Sequence, residues 1–217
     1  LERACRNSWD AMLTEARTTN RLLWDSETYR FENATMHDGT LSLALSTIPF
    51  SIRFGMNEHT ERVKDLGIAY AAMGMFTSCL VQTSDAASVF IEKSDKYFTR
   101  KKYAWVGGVL SKMERVLRSG GDLFGALEDE VMEELGVGAQ VFDGQSLRAG
   151  YLTENWNVCL LFSQTISLSA RQLQQRFEQA GDGEAKRLMC IPASELRQQA
   201  CIFEERDQVK FAILDLL

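Results

Sequence analysis

The sequence holds 217 residues, 45% hydrophobic and 25% charged, enough apolar material for one sizeable core or for a main domain with a smaller companion. Its net charge of -6, with basic residues scattered apart from Arg100-Lys101-Lys102, argues against nucleic acid as a partner. The longest apolar runs, near residues 68–79 and 158–162, fall far below the roughly 20 residues that span a bilayer, so no segment is expected to cross a membrane.

In chain order, Trp9, Met12, Leu13 and Ala16, followed less regularly by Leu22 and Leu23, predict a helix over residues 7–24. Residues 29–36 and 40–46 alternate as strands. His37-Asp38-Gly39 supplies the turn between them, because Asp-Gly accepts the positive φ of a tight hairpin. Residues 49–57 read as a loop and 58–72 as partly helical. From Met75 the pattern turns to β, with strands at 76–82 and 88–92 around Thr83-Ser84-Asp85-Ala86, then Tyr103-Ala104-Trp105-Val106 running into Gly107-Gly108. A polar connection containing Ser119-Gly120-Gly121 leads to an acidic helix that opens at Asp122, a good N-cap. Beyond it lie strands at 146–151 and 156–165, a helix at 170–180, a last strand at 187–191 and a closing helix at 207–217. This order predicts an α/β/α sandwich with a mixed sheet as a domain over 73–217, preceded by a small α/β extension over 1–72.

Cys5, Cys79, Cys159, Cys190 and Cys201 are odd in number, far apart and without a CxxC pair. They suggest neither a zinc site nor a disulfide framework, and fit a reducing intracellular, cytoplasmic setting. The sequence begins at Leu1 rather than methionine, so its targeting is not legible in it.

The acidic helix carries the chemistry. In Leu127-Glu128-Asp129-Glu130-Val131-Met132-Glu133-Glu134-Leu135-Gly136, five acids fall within seven positions. With Glu130 set at zero and 100° per residue, Leu123, Leu127, Val131 and Leu135 fall at about 20°, 60°, 100° and 140°, whereas Glu134, Glu130 and Glu133 fall at about 40°, 0° and 300°. The glutamates therefore border and partly overlap the apolar stripe, where a merely solvated acidic face would lie opposite it. Like charges at these spacings cost about 0.2–0.5 kcal/mol per pair, so a positive group should compensate them, and Mg²⁺ is the divalent cation best suited to grouped carboxylates.

Gly108, five further residues and Glu114, then Asp129-Glu130-Val131-Met132-Glu133-Glu134-Leu135-Gly136-Val137, resemble the Nudix box, G-x5-E-x7-R-E-U-x-E-E-x-G-U with U aliphatic. The second half matches at every specified position except the arginine, where Asp129 stands, and fourteen residues rather than seven separate Glu114 from that position. The insertion, the Leu123-Phe124 pair and the N-terminal extension are similar to a eukaryotic Nudix subgroup that hydrolyses UDP-sugars. Gly107-Gly108-Val109-Leu110 departs from that subgroup's Gly-Gly-His-x-Glu-Pro.

The resemblance implies an Mg²⁺-dependent diphosphatase, with Mn²⁺ as a substitute, that converts UDP-glucose or UDP-galactose to UMP and a sugar 1-phosphate. It implies Glu130 as base and metal ligand, Glu133 and Glu134 as ligands, the Gly108 carbonyl as a further ligand, and Glu114 and Glu154 as additional carboxylates. At the box arginine, which in the family pairs with a catalytic glutamate, either another cation such as Arg115 or Arg118 substitutes or the site is weakened. Arg53, Asn57, Tyr103 and Trp105 are candidate substrate contacts, although aromatic residues on a strand are more often core. His37 and His59 read as turn or surface residues. A nucleotide-sugar is the expected partner, with no obligate protein partner. The competing reading is a Nudix-fold binding or scaffold protein without turnover.

Overall fold

The computed structural model describes residues 1–96, 102–111, 123–180, 185–203 and 205–214. The chain forms two compact units, the first from Leu1–Phe76, Val109–Gly120 and Tyr151–Cys159, the second from Thr77–Gly108, Gly121–Gly150 and Leu160–Leu217.

In the first unit, helix α1 (Glu2–Thr18) buries Cys5, Met12 and Ala16. Strands β1 (Glu27–His37) and β2 (Thr40–Pro49) form an antiparallel hairpin closed at His37 and Thr40. Its turn has φ 48° at Asp38 and 75° at Gly39, as the Asp-Gly pair implies. A register shift between Phe31 and Asn33 leaves Glu32 as the extra residue of a β-bulge. Without that bulge the change of apolar phase from Tyr29 and Phe31 to Ala34 and Met36 would put the two pairs on opposite faces.

Of residues 49–57, expected as a loop, Pro49 ends β2 and the rest are helical: α2 (Phe50–Glu58) follows Pro49 directly and is followed in turn by α3 (Thr60–Leu66). The loop reading rested on Pro49 and Gly55, and each has another cause. Proline is at home beside a helix start. Gly55 marks the close approach of α1, since a β-carbon there would lie 2.4 Å from the Cys5 Cβ. Trp9 completes the contact by setting its ring edge-on to Phe50 and Phe54, at centroid distances of 5.9 and 6.2 Å.

The main element is a mixed six-stranded sheet. It contains β3 (Met75–Gln82), β4 (Ala87–Lys93), β5 (Tyr103–Trp105), β6 (Phe142–Leu152), β7 (Val158–Ile166) and β8 (Ala185–Pro192), in the order β5-β4-β3-β7-β6 with β8 also paired to β4. Helices α4 (Leu123–Leu135), α5 (Ala170–Ala180), α6 (Leu196–Gln199) and α7 (Glu205–Ile213) accompany it. Strand β4 shows why the faces differ. Alternate residues of a strand point to opposite sides. Phe90 meets Trp105, Phe203 and Phe211 at centroid distances of 5.3, 4.7 and 5.7 Å, an aromatic cluster that docks α7. Val89, Ile91 and Lys93 face the other way, and Lys93 reaches Glu134 of α4.

Candidate active site

Helix α4 buries Leu127, Val131 and Leu135 of the expected stripe completely, leaves Leu123 half-buried, and also buries Ala126, which lies outside that stripe. Phe124 adds an edge-on contact to Phe162 of β7 at 5.4 Å. The same geometry sorts the glutamates. Glu134, inside the angular range of the stripe, is buried; Glu130, at its margin, is half-buried; Glu133, farther round, is exposed.

The glycine pair that follows β5 meets this helix. Gly107 has φ +117°, a conformation L side chains rarely adopt, and a β-carbon there would stand 2.8 Å from the Thr77 carbonyl oxygen. That backbone path lets the Gly107 N–H donate to Glu134 Oε2 at 2.7 Å. Gly108 continues the sheet, its carbonyl accepting from the Thr77 N–H at 2.8 Å, and a β-carbon on it would come within 3.0 Å of Glu130 Oε2. The two segments of the motif, distant in sequence, are thus joined through both glutamates.

A buried carboxylate demands a counter-ion, because desolvation penalises the charged form heavily. Lys93 supplies it, with Nζ 2.7 Å from Glu134 Oε1 and side-chain exposures of 19% for the lysine and 3% for the glutamate. Arg115 and Arg118, in which the sequence reading sought a substitute for the box arginine, lie outside the described residues, and that reading did not single out Lys93. Its only sequence signal is a lysine closing an otherwise buried strand on the inward parity of Val89 and Ile91. Cys79 of β3 senses the same charge: burial first, and the Glu134 carboxylate second, raise its thiol well above the usual range.

The expected metal can be weighed against these contacts. Glu130 and Glu133, three residues apart on α4, offer hard oxygen donors, and Mg²⁺ commonly takes one or two carboxylates together with substrate phosphates. The Gly108 carbonyl, already bonded to Thr77, retains a second lone pair. Glu134 accepts from Lys93 Nζ at one oxygen and from the Gly107 N–H at the other, and each oxygen likewise keeps a further lone pair. Among the described residues, no group of three or more His, Cys, Asp or Glu side chains is arranged to hold a metal ion. Glu130, Glu133 and Glu134 are the carboxylates of α4 that could hold a divalent ion together with a substrate phosphate.

The other candidates separate clearly. Arg53 lies on α2 rather than in a loop, and burial lowers its guanidinium pKa to about 10. It donates to the Met75 carbonyl at 3.2 Å and lies 6.0 Å from the Phe76 ring centre, interactions within the first unit. Asn57, also on α2, accepts from Asn157 Nδ2 at 2.9 Å. Trp105 is buried in the aromatic cluster with Lys210 Nζ 5.4 Å from its ring centre, so it serves the core. Tyr103 is half-buried, with Lys102 Nζ 5.0 Å from its ring centre. Glu154 is exposed in the turn between β6 and β7, and Asp129 is half-buried on α4. Glu114, Arg115, Arg118 and the expected cap Asp122 lie outside the described residues.

All five cysteines are free, and no described helix is long and apolar enough to cross a membrane. The fold and site define a mixed α/β protein with a glycine turn clasped to an acidic helix. No family model matches the sequence, and no curated protein matches it. Among solved structures, it is similar to a Nudix hydrolase from Nitrosomonas europaea at 17% identity, over 66% of this chain and 86% of that one, with a TM-score of 0.44. It is also similar to the Nudix domain of Shewanella oneidensis NrtR, solved with ADP-ribose, at 12% identity over 69% and 92% of the two chains and a TM-score of 0.47. A third likeness is to a bifunctional NMN adenylyltransferase/ADP-ribose pyrophosphatase from Francisella tularensis, complexed with AMP and a Mn ion. It has 14% identity over 75% of this chain and 47% of that one, with a TM-score of 0.44.

Proposed function

We propose that the chain is a Nudix-type hydrolase that cleaves the diphosphate linkage between a nucleoside and another group. The observation that carries this reading is the junction of Gly107 and Gly108 with Glu134 and Glu130: an insertion separates the two halves of the motif in sequence, yet the chain folds so that they meet. A pure scaffold has no need to keep three glutamates in such proximity.

The chemistry follows from the charges. A diphosphate repels an incoming hydroxide, and Mg²⁺, or Mn²⁺ in its place, would neutralise the non-bridging oxygens and acidify a water when bound. Glu130, Glu133 and Glu134 would hold the ion. Glu130, beside the Gly108 backbone, is also placed to accept the proton of the attacking water. Glu134 also acts on the scaffold of the site, since its carboxylate fixes the glycine turn to α4 and is itself neutralised by Lys93.

The finer reading assigns UDP-glucose or UDP-galactose as substrate, cleaved to UMP and a sugar 1-phosphate. It rests on the insertion before α4, on Leu123-Phe124 and on the extension that precedes the main domain from residue 73. Tyr103, Arg115 and Arg118 are the residues proposed to contact that substrate. A second reading, a nucleotide-binding protein without turnover, is favoured by Asp129 at the arginine position.

The test is a panel of nucleoside diphosphate derivatives, including UDP-sugars, ADP-ribose and dinucleotides, incubated with Mg²⁺ or Mn²⁺ and read by phosphate release after phosphatase coupling. Turnover of UDP-sugars alone supports the finer reading. Turnover of another member keeps the hydrolase and replaces its substrate, whereas thermal stabilisation by a nucleotide with no turnover supports the binding protein.

A further inference from the structure

Strand β2 leaves one edge of the hairpin open. Its inner edge pairs with β1, and among the described residues no strand lies along its outer edge. The direction of its backbone groups follows from β1. The N–H groups of Tyr29 and Phe31 point away from β2, donating to the Leu110 and Met73 carbonyls at 2.9 Å each. Their cross-strand partners Thr47 and Leu45 therefore also turn their N–H and C=O groups away from the hairpin, and alternation gives Leu43 and Leu41 the same direction. The two strands are defended unequally. β1 carries Glu27, Arg30, Glu32 and a bulge, the features that keep an edge from pairing. β2, Thr-Leu-Ser-Leu-Ala-Leu-Ser-Thr-Ile-Pro, has no charge, and its one proline stands at its end.

We infer that this edge joins two copies of the chain, β2 pairing antiparallel with β2 of a second copy about a twofold axis at Leu43. The second copy is the occupant because β2 is its own complement. Antiparallel pairing about Leu43 sets Leu41 against Leu45, Ser42 against Ala44 and Thr40 against Ser46, so leucine meets leucine and small residue meets small. Residues on a twofold axis face their own copies, where a charge would repel itself, and β2 carries none. The same register puts the outward-facing leucines in the three pairs that exchange hydrogen bonds, about six N–H···O bonds in all. The pairing also serves the hairpin. Residues 32–42 are exposed, with Met36 at 67% and Leu41 at 36%, and a two-stranded hairpin alone is marginal in water. Four strands carry the Met36–Leu41, Ala34–Leu43 and Phe31–Leu45 pairs of both copies in one continuous apolar face. The defended β1 then forms both outer edges, so association closes at two.

The experiment is sedimentation equilibrium of the full 217-residue chain, with a reductant to exclude disulfides through the exposed Cys201. The contact is small, below about 1,200 Å², so the dimer is expected to be weak. Mass should rise with concentration from 24.5 kDa toward twice that value and stop there. Leu43→Lys and Leu43→Glu should each stay monomeric, because each charge would face its own copy, and their equimolar mixture should regain the dimer. Circular dichroism checks that each variant is folded. A parent that stays monomeric, or grows past the dimer without limit, would overturn the inference. So would charge variants that still dimerise alone, or a mixture that does not re-form the dimer. Where the charge variants do not fold, Leu43→Pro decides: the N–H it removes lies on the outer edge, so the hairpin keeps its own bonds. A monomer then supports the inference, and a dimer like the parent's overturns it.

Discussion

Gly107 and Gly108 are adjacent, but alanine at each should fail in a different way. At Gly107 the new β-carbon would stand 2.8 Å from the Thr77 backbone oxygen, which cannot swing aside, and the residue would be held at φ +117°. Backbone strain of this kind costs about 1–3 kcal/mol. Any shift that relieves it pulls the N–H away from Glu134, a hydrogen bond to a charged acceptor worth about 1.5–3 kcal/mol. The two costs overlap, so Gly107→Ala should destabilise the protein by about 2–4 kcal/mol. At Gly108 the β-carbon would meet Glu130 Oε2 at 3.0 Å, the far end of a flexible side chain. Rotation of that carboxylate makes the cost small, about 0.5–1.5 kcal/mol for an off-rotamer position. It also moves the proposed base, so Gly108→Ala should retain most of its stability and lose about tenfold or more in kcat. Urea unfolding followed by circular dichroism measures the first effect, and steady-state kinetics on a substrate identified from the panel the second. Equal stabilities for the two variants would refute the assignment of Gly107 to the fold. Full activity in Gly108→Ala would refute the placement of Glu130 at the reaction centre.

Three further outcomes are expected. Glu130→Gln and Glu133→Gln should each lower kcat/KM by roughly 10²-fold or more with little change in the unfolding midpoint, because neither carboxylate is buried and each serves the metal and water; normal turnover in both would remove the proposed site. Asp85 accepts from the Thr83 hydroxyl at 2.6 Å and from the Ala170 N–H at 2.9 Å, and these bonds hold its pKa below the ordinary value. Its contribution is therefore present above the unfolded carboxyl pKa of about 3.9 and disappears as the pH falls through the lower folded value. Asp85→Asn should flatten that part of the acid limb, measured as the urea midpoint against pH, and an unchanged limb would refute the linkage. Gly55→Ala gains about 1 kcal/mol in helix propensity but drives a β-carbon to 2.4 Å from Cys5 Cβ, an overpacking cost of about 1–3 kcal/mol. Net destabilisation in urea is expected, and a gain of the full propensity value would show that α1 yields freely.

The hairpin, the β-rich segment from Met75 and helix α5 were legible because local rules govern them: Asp-Gly fixes a turn, and period 2 or 3.6 fixes a face. Helix α5 occupies the expected residues 170–180. Helix α2 was not legible because its punctuating residues answer to tertiary structure. Gly55 is small to admit α1, a constraint that lies 50 residues away in Cys5 and in no local pattern. The aromatic residues of β5 divide on the same principle. Trp105 faces α7 and is buried, while Tyr103, two residues earlier, remains half-buried at the strand's start.

At the site, the helical period alone assigns three unlike environments to the three glutamates. Glu134, at about 40°, falls between Leu123 and Leu127 and must be buried; Glu130 lies at the boundary; Glu133 lies beyond it. Burial makes a fixed counter-ion necessary at Glu134, whereas Glu130 and Glu133 can use water or a metal. The wheel thus shows which acid needs a cation but cannot say where the cation comes from. That depends on the parity of β4, which sets Lys93 on the face opposite Phe90 and Glu92, where it reaches Glu134. The resulting pair, Lys93 and Glu134, spans 41 positions of sequence. Arg115 and Arg118, near the motif in sequence, lie outside the described residues; among the described residues the buried carboxylate is paired with the side chain that the sheet delivers to it. The chain can consequently carry Asp129 in the motif without leaving Glu134 uncompensated.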